Sequence, residues 1–141
     1  MTTPMALDPP ARKIPTRRCA MAWVVLATAT LALRALRFHH IERLARLLNH
    51  LAARAATGPE VTEQLDAIDW ASPWVPARVA CLERSFTIVL WCGLRRRSVC
   101  WRLGVRTPPF AVHSWVEADG QPVGELVSVQ SYVPLFTVDQ P

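Results

Sequence analysis

Apolar positions along the chain follow two different periods, and the change from one to the other organises the rest of the reading. From Arg17 to about Leu36 the sequence is apolar on most sides and reads as a helix. Phe38 to Ala56 continues helically, with Ile41, Leu44, Leu47, Leu48 and Leu51 on one stripe and arginines between them. Thr57-Gly58-Pro59 is read as the stop of that second helix, and Glu60 to Trp70 as a short third one. Ser72-Pro73-Trp74-Val75-Pro76 breaks the pattern again. Ala77 to Arg95 then reads as a fourth helix, with Val79, Leu82, Phe86, Val89 and Leu90 as its apolar stripe. Gly93 lies near its end, and Arg95-Arg96-Arg97 suits the negative pole of its dipole.

Beyond this point the period is two. Val99, Trp101, Leu103 and Val105 alternate with Cys100, Arg102 and Gly104, which is strand behaviour. After Pro108-Pro109, Phe110 to Glu117 gives a second strand, Asp119-Gly120 is a hairpin signal, and Pro122 to Val129 and Tyr132 to Val138 supply two more. Helices followed by an antiparallel β-meander predict an α+β fold. The expected organisation is a flexible N-terminus over 1–15, a helical region over 16–70 and a core over 71–141.

Composition narrows the function classes. Hydrophobic residues make up 51% of the 141 positions and charged ones 19%, which argues against wholesale disorder. The formal charge of +5 comes almost entirely from arginine, Lys13 being the one lysine. No zinc-finger, RNP or helix-turn-helix pattern accompanies that charge, so no nucleic-acid partner is expected. A basic surface equally steers an acidic peptide or protein. Cys19 to Leu33 is an uncharged run of 15 residues, short of the roughly 20 that span a bilayer, so a buried helix is expected and membrane association is not. Met1 to Pro15 holds no apolar stretch suited to a secretory signal, which leaves the cytoplasm and reduced thiols as the expectation. Cys19, Cys81, Cys92 and Cys100 are therefore read one by one.

Cys81 falls in the first turn or two of the fourth helix, where the positive end of the dipole favours a thiolate. By itself such a cysteine is more often a small buried apolar residue. His113 changes the balance: it is the one histidine after residue 50 and sits mid-strand among Ala, Val and Trp, where an imidazole needs a partner. A helix-start cysteine followed by a strand histidine and a hairpin is the papain-like order of parts, and it calls for a third group to orient the ring. Asp119 and Glu125 compete for that role. A two-residue loop at Asp119-Gly120 sets Ser114 opposite Glu125 and leaves His113 and Glu125 on opposite faces. A three-residue loop, Ala118-Asp119-Gly120, pairs Glu117 with Gln121 and brings His113 opposite Glu125. The three-residue loop and Glu125 are the expectation, with Asp119 as fallback.

Cys81-Leu82-Glu83-Arg84-Ser85, Arg102-Leu103-Gly104-Val105, His113-Ser114-Trp115-Val116-Glu117 and Val123-Gly124-Glu125 together resemble the transglutaminase-like leader peptidases of lasso-peptide biosynthesis. The likeness covers about residues 75–137. It implies a papain-like Cys-His-Asp protease core, here with Glu125 where Asp is more usual. The short helical region ahead of it resembles the stand-alone peptidase (B2) form. The resemblance further implies cytoplasmic removal of a leader from a precursor peptide, with a separate leader-recognition protein (B1) and a lasso cyclase as partners, and no cofactor or metal.

In the mechanism these residues imply, Cys81 is nucleophile, His113 base and Glu125 orienting acid, with the Cys81 N–H as one oxyanion donor and the second donor open. Trp74, Arg84 and Trp115 are weaker candidates for substrate contact, and for Arg84 an internal ion pair is the stronger expectation. Cys92 and Cys100 are expected to pack. Two rivals remain at this stage. One is a transglutaminase-like acyltransferase; the other is a non-catalytic metal or peptide-binding scaffold, against which the wide spacing of Cys81, Cys92, Cys100 and His113 argues.

Overall fold

The computed structural model describes residues 13–125 and 129–140. Most of the expected loose N-terminus and part of the expected Pro122–Val129 strand lie outside those residues. Four helices come first: α1 (Thr16–Ala35), α2 (Phe38–His50), α3 (Gly58–Ala71) and α4 (Cys81–Leu94). Two-residue strands β1 (Arg54–Ala55) and β2 (Arg97–Ser98) pair in parallel. The main antiparallel sheet holds β3 (Cys100–Arg106), β4 (Ala111–Ala118), β5 (Gln121–Pro122) and β6 (Val133–Val138) in the order β5-β4-β3-β6. The fold is α+β as expected, with β3, β4 and β5 as a meander and β6 returning to the far side of β3.

Three boundaries differ from the pattern, each for a physical reason. The second helix ends at His50, not Ala56, because the chain after it is captured by strand pairing: Ala53 N–H donates to Arg96 O and Ala56 N–H to Ser98 O. Buried Asn49 fixes the corner, giving its amide to the carbonyls of Val99 and Asp139 and taking the Val99 N–H. Thr57-Gly58-Pro59 is the start of α3 and not merely a stop. The Thr57 hydroxyl accepts from Glu60 N–H, and the Glu60 carboxylate accepts from Thr57 N–H at 2.8 Å, a reciprocal capping box. The fourth helix opens at Cys81 instead of Ala77, because Glu83 reaches back to the Ala80 N–H and ends the extended segment there.

One hydrophobic core joins the helical half to the sheet. Leu26 of α1, Ile41 of α2, Ile68 of α3, and Phe86, Ile88 and Trp91 of α4 are fully or almost fully buried together with Trp101 of β3. The α4 stripe is as expected from Leu82 on, with Phe86 and Val89 buried and Leu82 and Leu90 packed against the core, while Val79 packs there from the segment before the helix. α4 is thus packed against α1, α2 and α3 as well as against β4.

Candidate active site

Cys81 is the first residue of α4, and the residue before it is Ala80, in extended conformation with no side chain able to accept from the first turn. An N-cap Ser, Thr or Asp would occupy one of the free N–H groups at this end. Alanine cannot occupy them, so the Cys81 thiol stands half-exposed beside the first-turn backbone N–H groups and the positive pole of the helix. Cys81 is thus at the helix start, as the sequence led one to expect.

β4 supplies the histidine. His113 pairs with Gly104 of β3, and its ring forms a three-ring cluster with Trp115 and Tyr132. Trp115 stacks at 5.9 Å and 15°, and Tyr132 approaches at 5.5 Å. A Cβ on Gly104 would come within about 3.0 Å of the Trp115 ring and the Val133 carbonyl, so glycine is what lets this aromatic floor close. Tyr132 was not singled out by the sequence pattern; its position just before a strand gave no signal that it would reach across to β4.

Glu125 is the partner of His113: its carboxylate lies 2.5 Å from Nε2, with the two side chains 18% and 12% exposed. Nδ1 is the ring nitrogen that Glu125 does not engage. The route to this contact corrects the sequence reading. The hairpin has the two-residue loop, Asp119 and Gly120 both having positive φ (55° and 72°), with Ala118 opposite Gln121 and Glu117 opposite Pro122. In that register a continued strand would turn Glu125 away from His113. The ladder instead ends after Val123, whose N–H still donates to Val116 O, and Gly124 at φ +70° swings the chain so that Glu125 faces the ring. Asp119, the fallback, accepts from Gly58 N–H at 2.7 Å and so serves the N-terminus of α3.

Cys81, His113 and Glu125 line one cleft, of about 20 Å³, with Leu65, Ser85 and Ser114 among the other walls. Arg84 lines it too, but its guanidinium is engaged: it pairs with both Asp69 oxygens at 2.8 and 2.9 Å and reaches the Gly124 carbonyl at 3.5 Å. The ion-pair reading of Arg84 therefore holds, and the pair braces the turn that presents Glu125. Trp115 is buried, its indole N–H donating to Glu117, which pairs in turn with Arg102. Trp74 is not brought to this cleft; it lies with Trp23 and Trp70 around an apolar groove between α1 and α3.

The remaining thiols behave differently from Cys81. Cys92 is buried against Gln64, and burial pushes its pKa up to about 12. Cys100 sits beside Asp139, and burial raises it to about 11. Both are packing residues, as expected, and neither converges with Cys81 or His113.

The family model of the Transglutaminase-like superfamily matches residues 23–137, most of the chain from α1 to β6. The chain belongs to this superfamily, which includes cysteine proteases and acyltransferases. No curated protein and no solved structure matches it.

Proposed function

We propose that the protein is a cysteine protease that removes the leader from a lasso-peptide precursor in the cytoplasm, acting with a separate leader-recognition protein and followed by a lasso cyclase. The observation that carries the catalytic part is the uncapped helix start: a half-exposed cysteine at the first position of α4 in one cleft with a histidine whose far nitrogen is held by a carboxylate. The leader-peptidase part rests on the residue runs around Cys81, Arg102, His113 and Glu125, which resemble those enzymes.

In this reading the Cys81 thiol gives its proton to His113 and attacks the scissile carbonyl. The oxyanion takes the Cys81 N–H, and the leaving amine receives the proton back from His113. Water, activated by the same imidazole, then releases the leader from the thioester. Glu125 keeps the ring in one orientation and stabilises the imidazolium. An acyltransferase would form the same thioester and resolve it with an amine, a reading the superfamily match favours equally.

The test is mass spectrometry of a precursor peptide incubated with this protein and a leader-binding partner. Free leader and free core peptide, absent with Cys81→Ala and His113→Ala, are expected. A product joined to an added amine would establish the acyltransferase instead. Cleavage that persists in Cys81→Ala would remove the nucleophile assignment.

A further inference from the structure

Beneath the catalytic groups lies a closed set of polar contacts that the mechanism does not use. Ser85 follows Cys81 by one helical turn and lies on the same face of α4. Ser114 follows His113 on β4 and points to the opposite side of the strand. Their hydroxyl oxygens are 2.7 Å apart, and the Trp101 indole N–H of β3 lies 3.0 Å from Ser85 Oγ and 2.9 Å from Ser114 Oγ. All three residues are buried, Trp101 completely. Ser85 Oγ also donates to the Leu82 carbonyl at 3.2 Å, in the first turn of α4.

Either hydroxyl can donate across the 2.7 Å contact, and the remaining partners favour one direction. If Ser85 gives its one proton to Leu82 O, the Ser114 hydroxyl donates to Ser85. Trp101 has only a donor and shares it between the two oxygens. With that assignment every hydroxyl and indole hydrogen of the set has an acceptor among the described residues.

We infer that Ser85 and Ser114 are positioning residues for the nucleophile and base, setting how closely the first turn of α4 approaches the His113 segment of β4. The inference rests on the cysteine-protease or acyltransferase reading of Cys81 and His113. Two methyl groups in the same place would meet at about 3.5–4.0 Å, so a hydroxyl pair at 2.7 Å holds helix and strand closer than apolar packing does. Ser85 and Ser114 each sit next to, or one turn from, a reacting group, and a displacement of order 1 Å there costs about a hundredfold in rate.

The test needs no peptide substrate. The rate at which iodoacetamide alkylates Cys81, localised by peptide mass spectrometry, is measured near pH 7 in the wild type, His113→Ala, Ser114→Ala, Ser85→Ala and the double variants of each serine with His113→Ala. Each single serine variant leaves Trp101 one acceptor, and thermal melts establish that it is folded. The expected result is a fall of about 10- to 100-fold in each serine variant, with little further loss when His113→Ala is added, because both act through the same approach of base to thiol. Effects that multiply independently would overturn the proposal, leaving the serines as stabilising residues only. So would serine variants that react like the wild type. A wild type no faster than His113→Ala would remove the catalytic reading itself, which separates the two failures. In turnover of a precursor peptide the same serine variants should lower kcat and leave KM; a loss confined to KM would also overturn the proposal.

Discussion

At the scale of single residues the site depends on an unusual pairing of a carboxylate and a glycine. Glu125→Gln keeps a hydrogen-bonding group opposite His113 Nε2 but removes the charge that steadies an imidazolium. Peptide turnover should fall by on the order of 10²- to 10⁴-fold with the melting temperature little changed, read by steady-state kinetics beside thermal unfolding. Gly124→Ala acts one step earlier. A Cβ there meets Leu65 Cδ1 at 2.5 Å, and its φ of +70° is one that L side chains rarely adopt. Gly120 has nearly the same φ, +72°, with nothing within 4 Å of an added Cβ. Both alanine variants should lose about 1–2 kcal/mol of stability from the backbone alone, but only Gly124→Ala should lose activity as well. Equal activity loss in both would mean that Gly124 does not place Glu125. These two glycines also mark where sequence reading stopped. Strand parity selected Glu125 through a three-residue loop that is not there. Asp119-Gly120 carried the signal for the two-residue turn; the bend at Gly124 had no signal beyond glycine itself.

Elements were legible wherever a period ran long enough to be counted, and less so at their ends. All four helices and the two long strands of the hairpin were readable from spacing, because a stripe at 3.6 or 2 residues survives any tertiary context that buries it. Ends were decided by groups that pattern does not weigh. Arg54 and Ala55 left the second helix for a strand partner more than forty residues away. Thr57 and Glu60 carried a T-x-x-E signature that Gly58-Pro59 obscured. That capping box has a pH consequence. The hydrogen bonds and charge of Arg54, together with the Thr57 N–H, hold the Glu60 carboxyl down to about 2 from its ordinary 4.5. A lowered folded value means stability present above about pH 4.5 and lost as pH falls towards about 2. Glu60→Gln should therefore lower the urea midpoint near pH 7 and converge on the wild type in strong acid. Because Glu60 is largely solvated, the ionic part will be reduced by salt. Thr57→Ala, which removes the other half of the box, should cost about 1 kcal/mol at either pH. A Glu60→Gln deficit that stayed constant down to acid pH would mean that charge contributes nothing to this cap.

For the molecule as a whole the open question is α1, the one helix among the described residues that is long and apolar enough to cross a membrane, with mean hydropathy 1.3 over its best window. Only a third of that window is buried. Its buried residues nevertheless form one seam, Ala22, Val25, Leu26 and Ala29, spaced three and four apart and packed into the same core as α3 and α4. Such a seam is what a helix fixed in a fold requires, whereas a membrane span has no reason to bury one side against α3 and α4. The sequence indicated a buried helix from the length of the apolar run and more apolar surface than a small domain hides; Met21, Trp23, Val24 and Leu31 indeed remain exposed on the other faces. Leu26 and Leu31 separate the two roles, being 0% and 68% exposed. Leu26→Ala should destabilise the protein by about 2–5 kcal/mol, and with it the packing of α1 against α4. Leu31→Ala should shift stability by no more than about 0.5 kcal/mol. Denaturant unfolding reads both, and vesicle sedimentation supplies the contrasting measurement. If α1 works chiefly as an anchor, Leu31→Ala weakens vesicle binding while Leu26→Ala leaves the unfolding midpoint in place. The packing argues for the reverse: α1 acts as the back wall against which α4 is braced, so the position of Cys81 depends on a helix from the opposite end of the chain.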